Sequence, residues 1–492
     1  MRDHLPALQV VVPLLGALLA ALARRPGPAW LVTTAVSWAV AAIAALLLHQ
    51  VLATGPISYR LGGWEPALGI EYRVDAVNGL ILVLVSFIAA VIAPFARRSV
   101  AAEMADDRVA WFYTMYLLAL AGMLGIAITN DAFNAFVFLE ISSLASYALI
   151  AMGRDRRALV AAYQYLILGT IGATFYVIGV GLIYTMTGTL NLGLIAERIA
   201  AVDSTRPVLV ALAFITVGIS LKLALFPLHV WLPNAYAYAP STATVFLAAT
   251  ATKVAIYLFV RFLFSVFGVG FVFADLPVTP LLTAFSIAAI FAAATVAVFQ
   301  SDVKRMFAYS SVAQVGYITL GIALATATGL TGGLVHIVNH ALIKGALFMA
   351  LGAVVFRAGT VAIDDLSGIG RRMPWTMAAL VVAGLGLIGV PGTVGFVSKW
   401  YLIVAAFEIG WWWLGILIVA SSLITILYVG RVIEAVWFRE PSQTAAAATE
   451  APLAMLIPIW VLVAATVYFG LDTELTAGIA GKAATALLAG LR

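Results

Sequence analysis

Residues 208–262 constrain the fold of this chain more than any other stretch. Two long apolar runs carry Lys222 and Lys253, and several prolines, beginning with Pro227, lie between them. An ammonium group inside a membrane costs roughly 2.5–3.5 kcal/mol, so such residues usually face protein or water and mark a path for ions. Proline removes a helical hydrogen bond, and broken backbone at membrane depth has to be covered by protein or water. The stretch therefore predicts an ion-conducting membrane protein.

Composition extends this prediction to the whole chain. Hydrophobic residues make up 64% of the 492 residues and charged residues 10%, against about a quarter charged in soluble proteins. A membrane crossing takes about 20 apolar residues, and we predict an all-α polytopic membrane protein with fourteen spans. They lie at approximately 5–23, 29–53, 75–96, 109–129, 131–152, 159–186, 208–226, 240–264, 278–298, 305–326, 329–357, 374–406, 411–437 and 451–470.

The basic residues predict the orientation of these spans. Odd-numbered loops carry 15 lysines and arginines, whereas the even-numbered loops and the termini carry 8. Positive residues accumulate on the cytoplasmic side, so the odd loops are predicted to be cytoplasmic and both termini to lie outside. The same bias explains the net charge of +5 without a nucleic-acid partner.

Lysine and arginine are distributed differently along the chain. All 21 arginines lie in loops or at flanks, whereas four of the six lysines lie inside apolar segments; these are Lys222, Lys253, Lys344 and Lys399. Arginine stays protonated, while a lysine deprived of water can release its proton near neutral pH. This partition is typical of a path that loads and unloads protons.

Glu140 is the only one of the 22 acidic residues near the middle of a predicted span. Ser142, Ser143 and Ser146 follow it and could bind the carboxylate or hold water. A structural ion pair with a buried lysine is the alternative interpretation. The two are compatible, because a pair whose protonation is coupled can also act as a switch.

Span 11 contains a stripe of titratable residues. His336, His340 and Lys344 recur every four residues, so they lie within about 80° of one helix face and extend about 12 Å along it. The pattern is typical of a proton wire. Two histidines at this spacing would also suit zinc, but no cysteine or carboxylate lies nearby in the sequence to complete a site. The chain has no cysteine at all, and we predict neither a metal nor a cofactor.

Neighbouring residues leave two interpretations open. In span 10, polar side chains could line water or tie helices together; they are Ser310, Ser311, Gln314 and Tyr317. His229, beside the first proline break, fits a proton carrier or an interfacial histidine equally well.

Span 12 repeats the pattern of span 7, because Pro391 lies among glycines and Lys399 follows it. Two interrupted spans predict paired repeats with an ion site between them. The repeats would be spans 4–8 and 9–13, the second inverted relative to the first. The predicted units are 1–108 (scaffold helices), 109–264 (first repeat), 265–437 (second repeat) and 438–492 (last span and a short tail without a long helix).

Three motifs carry a resemblance to a known superfamily. LKLALFPLHVWLPNAYAYAPSTATVFLAATATKV, HIVNHALIKGALF and PGTVGFVSKW resemble the antiporter-like subunits shared by respiratory complex I, membrane-bound hydrogenases and Mrp-type multisubunit sodium/proton antiporters. The resemblance covers nearly the whole chain. It is nearest to the Mrp D type of subunit, with a complex I or hydrogenase subunit as the alternative. It implies fourteen helices, two inverted five-helix repeats, discontinuous helices 7 and 12, and partner subunits in a bacterial or archaeal cell membrane.

The resemblance also implies a line of charged residues along the membrane midplane. By motif its members are Glu140, Lys222, Lys253, His336, His340, Lys344 and Lys399. We expect stepwise proton transfer along this line, with sodium handled mainly by partner subunits because the spans offer one carboxylate. Two other classes stay open, a redox subunit that binds quinone and a passive scaffold with structural ion pairs. Four lysines against one glutamate argue against the scaffold, unless partners bring carboxylates.

Overall fold

The computed structural model describes residues 2–202 and 205–489, and most of them are helical. The α-helices are α1 (Leu5–Ala23), α2 (Pro26–Thr54), α3 (Ala76–Glu103), α4 (Asp106–Ile128), α5 (Ala132–Ala151), α6 (Arg156–Thr187), α7 (Leu192–Ile199), α8 (Thr205–Leu223), α9 (Trp231–Tyr238), α10 (Ser241–Val260), α11 (Val278–Val298), α12 (Val303–Ala323), α13 (Ala327–Ala358), α14 (Pro374–Ile388), α15 (Val394–Glu408), α16 (Trp412–Phe438), α17 (Gln443–Ala447), α18 (Leu453–Leu471) and α19 (Glu474–Ala489). Short 3-10 turns cover Arg2–His4, Leu61–Gly63 and Ile369–Arg371, and π-helical turns cover Arg261–Val266 and Gly270–Ala274.

The helices account for all fourteen predicted crossings. In the described residues, thirteen helices are long and apolar enough to cross a membrane, and they correspond to every predicted span except span 12. That span consists of the two shorter helices α14 and α15. The predicted all-α, multi-pass fold is confirmed.

Two elements differ from the sequence prediction. In the loop between α2 and α3, strands β1 (Ile57–Arg60) and β2 (Glu71–Val74) form an antiparallel hairpin. The tail beyond the last span, predicted to lack a long helix, forms α19 and packs against α13 and α3. Its alanines favour a helix, and they are small enough to pack closely against these neighbours.

Both interrupted spans leave helical geometry beside a proline. In span 7, α8 ends at Leu223, and α9 begins only at Trp231, beyond Pro227. In span 12, Gly389 follows the end of α14 with a φ of 91°, a conformation that favours glycine. Pro391 lies two residues farther on, and its ring nitrogen has no hydrogen to donate to a helical bond.

The helices divide into an enclosed centre and an outer shell. Nearly all of α10 and α12 and most of α13 are buried, whereas α1, α2, α16 and α18 expose many leucines, valines and isoleucines. An apolar outer face suits contact with lipid. Lys253, His336, His340 and Lys344 all belong to the enclosed helices.

The structure contains positions that match between the two predicted repeats. An aspartate caps the start of both α5 and α12. A glycine in the left-handed conformation ends both α6 and α13. Each aspartate also forms an isolated β-bridge with a residue three positions beyond the glycine of its repeat. Each second member follows the first by 171 residues: Asp131 and Asp302, Gly188 and Gly359, Asn191 and Ala362. This match supports the pairing of spans 4–8 with 9–13. The inverted orientation and the unit boundaries stay predictions.

Candidate functional site

Glu140 on α5 and Lys222 on α8 form the first contact of the candidate site. Lys222 Nζ lies 3.8 Å from Glu140 Oε1, and the exposed fractions are 5% for the lysine and 24% for the glutamate. The ammonium donates to Ser143 Oγ at 2.7 Å and to Tyr147 OH at 3.3 Å. The serine therefore holds the lysine rather than the carboxylate. Ser142 and Ser146 donate to backbone carbonyls of their own helix.

Lys253 lies in the enclosed centre of α10. It is completely buried, and its Nζ donates to Ala248 O and, at 3.4 Å, to Thr252 Oγ1. In the described part of the chain it forms no ion pair. Its charge is thus held by neutral oxygens alone.

The two histidines of α13 stack on one another but differ in their partners. Their ring centroids are 6.3 Å apart, with 17° between the planes. His336 contacts Ser398 Oγ at 2.7 Å through Nδ1 and Gln314 Oε1 at 2.9 Å through Nε2. Neither ring nitrogen of His340 has a hydrogen-bond partner among the described residues. His340 lies between His336 and Lys344 on α13. A buried imidazole in this position, with no side-chain partner of its own, is suited to bind water or to receive a proton.

Lys344 and Lys399 are held in the same way as Lys253. Lys344 Nζ donates to Phe307 O at 2.7 Å and to Ser310 Oγ. Lys399 Nζ donates to Ile388 O at 2.7 Å and to Ser422 Oγ at 2.9 Å. Ile388 is the last residue of α14, so this ammonium caps the negative end of the broken helix.

Helix α12 supplies partners to three members of the line. Ser310 binds Lys344, Gln314 binds His336, and the ring of Tyr317 lies 4.8 Å from Lys399 Nζ. Tyr317 OH lies 2.5 Å from Ser421 Oγ on α16. Ser310, Gln314 and Tyr317 of span 10 therefore connect helices through the titratable groups, whereas Ser311 donates to Phe307 O of its own helix.

Among the described residues, two buried basic side chains lie outside the predicted line. Lys304, at the start of α12, is 5% exposed and donates to Ala239 O at 3.1 Å. Arg261, just beyond α10, pairs with Asp75 at 2.8 Å. Both lie at the ends of predicted spans, where a long side chain normally reaches water, so their burial could not be predicted from the sequence.

The predicted line consists of titratable groups that do not form a chelating pocket among the described residues. In the described residues, no group of three or more histidines, aspartates or glutamates comes together to hold a metal ion. Apart from Lys253, the groups fall into three sets: the pair of Glu140 and Lys222, the α13 stripe, and Lys399 by itself. Chemically, such groups can accept, hold and release protons when water connects them.

The chain is similar to two kinds of curated protein. It is 42% identical to NADH-quinone oxidoreductase subunit N of Desulforudis audaxviator, over 96% of this chain and 97% of the relative. It is 30% identical to the D subunit of the Na(+)/H(+) antiporter of Alkalihalophilus pseudofirmus, over 87% of this chain and 85% of the relative.

Solved structures and a family model point to the same group of proteins as these relatives. A chain in the Mrp complex of Dietzia sp. DQ12-45-1b superposes with a TM-score of 0.90 at 28% identity, covering 99% of this chain and 97% of that one. The family model described as NADH:quinone oxidoreductase/Mrp antiporter, transmembrane, matches residues 129–425, well over half of the chain. The protein therefore belongs to the NADH:quinone oxidoreductase/Mrp antiporter family of transmembrane subunits.

Proposed function

We propose that this chain is the proton-translocating subunit of a multisubunit Na+/H+ antiporter. The observation that carries the proposal is the imbalance of charge in the site. Lys253, Lys344 and Lys399 are buried, and each is bound by carbonyl and hydroxyl oxygens without a carboxylate. Neutral acceptors orient an ammonium but do not cancel its charge. The desolvation free energy of the buried charge therefore stays unfavourable, and loss of the proton removes it.

The line has an order along the bundle. Glu140 and Lys222 form a coupled pair at one end, where a small change in their 3.8 Å separation alters how tightly each holds a proton. Lys253 and the stripe of His336, His340 and Lys344 carry charge through the enclosed centre. Lys399 forms the other end, bound to the break in span 12. Motion at the breaks near Pro227 and Pro391 would open or close the path.

The proposed setting follows from the family and from the loops. The chain is a multi-pass membrane protein, and we infer that it lies in a bacterial or archaeal cell membrane with both termini outside. The relatives include multisubunit assemblies, so other membrane subunits are the expected partners. Sodium prefers several oxygen ligands, and the described spans offer Glu140 as their central carboxylate. The sodium site is therefore expected mainly in a partner.

A second function is favoured by one specific observation. The 42% identity to an NADH-quinone oxidoreductase subunit N exceeds the 30% to the antiporter protein. The alternative is thus a proton-pumping, non-redox subunit of an NADH:quinone oxidoreductase or a related hydrogenase. The same buried line would serve there, but electron transfer in partner subunits would drive it.

Cation/proton exchange in everted membrane vesicles tests the proposal. The vesicles contain the products of the whole operon, and the variants are Glu140→Gln and Lys222→Gln. Glu197→Gln on the exposed face of α7 is the matched control. We expect sodium-dependent pH recovery in the wild type and in the control, and its loss in both site variants at equal abundance.

Three other outcomes have clear meanings. Proton uptake driven by an electron donor, without sodium-dependent exchange, would establish the second function. Exchange by both variants at the wild-type rate would show that the pair is structural. Donor-dependent reduction of quinone by this chain without its partners would point to a redox subunit.

A further inference from the structure

A charged cavity of about 680 Å³ lies at the end of the bundle where the odd-numbered loops gather. The end of α3, the loop before α6, the end of α9, the start of α12 and the end of α13 form its wall. Both predicted repeats therefore contribute to it. Its charged side chains are Glu103, Arg154, Asp155, Arg157, Asp302, Lys304 and Arg357.

Most of these charges have local partners. Asp155 pairs with Arg157, Arg154 donates to carbonyls at the end of α3, and Arg357 donates to Glu450 O. Glu103 accepts from the backbone nitrogen of Ser241 at 2.9 Å. These contacts fix most of the charged side chains on the wall of the cavity.

Lys304 differs from the other wall residues because it is buried. Its exposed fraction is 5%, its single hydrogen bond goes to Ala239 O, and it forms no ion pair among the described residues. Its hydrogen bond goes to a neutral acceptor, as do those of Lys253, Lys344 and Lys399, but the carboxylates of Glu103 and Asp302 on the same wall also act on its charge. Lys304 combines this arrangement with a position on a cavity wall.

Helix α12 connects Lys304 to the proposed line. Phe307 lies one turn farther along, a rise of about 4.5 Å, and its carbonyl accepts from Lys344 Nζ at 2.7 Å. Beyond it, Gln314 contacts His336, and Tyr317 lies beside Lys399. One helix, α12, therefore carries Lys304 on the cavity wall at its start and contacts Lys344, His336 and Lys399 farther along.

We propose that Lys304 transfers protons between this cavity and Lys344, and so extends the path to water at the loop side of the membrane. The inference rests on the proposed function. One proton leaves Lys304 Nζ and is accepted, through water, by the neutral amine of Lys344. The Lys304 amine then takes one proton from water in the cavity, and the reverse steps move a proton outward.

A purely structural role makes a different prediction. Lys304 binds Ala239 O, and Glu103 binds the nitrogen of Ser241, so together they hold the corner between α9 and α10. A clamp needs a positive donor at this place but no exchangeable proton. Arginine keeps the charge and the donor, yet it does not release its proton.

The first test compares Lys304→Arg with the wild type in the vesicle assay, with Lys482→Arg at an exposed position of α19 as the control. Subunit abundance and assembly are measured in the same membranes. We expect Lys304→Arg to assemble normally but to move protons at least tenfold more slowly, with no change in the control. Wild-type rates in Lys304→Arg would overturn the inference and assign the residue to the clamp.

The second test probes the cavity without altering Lys304. Because the chain has no cysteine, Ala358→Cys places a unique thiol on the cavity wall, and Ala446→Cys on α17 gives an exposed control outside it. A bulky cationic methanethiosulfonate should slow proton movement at least tenfold in Ala358→Cys, reversibly by reductant, and leave Ala446→Cys unchanged. An unaffected rate in labelled Ala358→Cys would contradict the inference even if Lys304→Arg fails to assemble.

Both tests use whichever proton-moving reaction the wild-type complex catalyses. A wild type active in either reaction, with unaffected variants, refutes the role of Lys304 alone. A wild type that moves no protons by either reaction refutes the proposed function, and the inference with it.

Discussion

His336 and His340 lie one helical turn apart on α13, but only His336 is hydrogen-bonded to side chains. Replacing His336 with leucine leaves Gln314 Oε1 without a partner and removes the shortest contact of Ser398 Oγ, which keeps Asn339 and Gly395 O. The buried amide oxygen left unpaired costs about 1–3 kcal/mol of unfolding free energy. Replacing His340 with leucine removes two unsatisfied nitrogens, so we expect little loss of stability. Thermal unfolding of the purified complex measures the difference.

The paired variants also separate stability from transport. Both should slow proton transfer if both histidines belong to the path, although only one weakens the fold. Equal losses of thermal stability would mean that His340 has a protein or water partner of similar strength to those of His336.

At the same scale, the sequence identified the titratable residues more readily than their partners. Buried lysines stand out because charge is rare in apolar spans, and all seven predicted path residues are in the described structure. The partner of Ser143 was predicted less well, because its hydroxyl accepts from Lys222 and does not bind Glu140. Such choices depend on how α5 and α8 pack, which no pattern within one helix encodes.

At the scale of elements, the break in span 12 requires a close approach of α14 and α15. A methyl group on Gly395 would lie 1.8 Å from Gly386 O, whereas one on Gly430 of α16 meets no atom within 4 Å. We expect Gly395→Ala to destabilise the subunit by about 1–3 kcal/mol or more and to lower the amount of assembled complex. Gly430→Ala is the control and should be neutral or slightly stabilising.

Quantifying assembled complex in membranes checks this prediction. Normal assembly and transport in Gly395→Ala would show that α14 and α15 can separate without cost. In that case the break would act as a flexible joint rather than a fixed contact.

The sequence predicted the breaks because proline and glycine act locally on the backbone. It did not predict α19 or the β1–β2 hairpin. Both depend on tertiary contacts, α19 on α13 and α3 and the hairpin, whose strands have four residues each, on the ends of neighbouring helices. Long apolar spans, by contrast, are determined by membrane thickness alone.

At the scale of the whole molecule, Glu71 ties the N-terminal helices to the first predicted repeat. This residue of β2 is 8% exposed and accepts from Ser58 Oγ at 2.5 Å, Asn130 Nδ2 at 2.8 Å and Asn191 Nδ2 at 2.8 Å. The two asparagines precede α5 and α7. One carboxylate thus joins three loops on the side of the membrane opposite the charged cavity.

The charge of Glu71 predicts how stability depends on pH. Burial alone would raise the pKa of Glu71, but hydrogen bonds from Ser58, Asn191 and Asn130 and the charge of Arg73 lower it, and the pKa lies below its ordinary value of 4.5. Below about pH 4.5 the unfolded chain therefore binds a proton that the folded chain does not. The stabilisation is complete above that pH and is lost as the pH falls through the folded-state pKa.

Glu71→Gln isolates this contribution. At pH 7 the variant should be less stable by about 1.5–3 kcal/mol, because its amide nitrogen cannot accept from Ser58 Oγ as Glu71 Oε1 does and its bonds from the asparagines are no longer made to a charged oxygen. The gap should shrink as the pH is lowered from 5 toward 3, since the wild type then loses its carboxylate and the variant has none to lose. Thermal unfolding of both proteins across this range gives the gap directly. A gap that stays constant with pH would show that the hairpin is held by shape and not by the carboxylate.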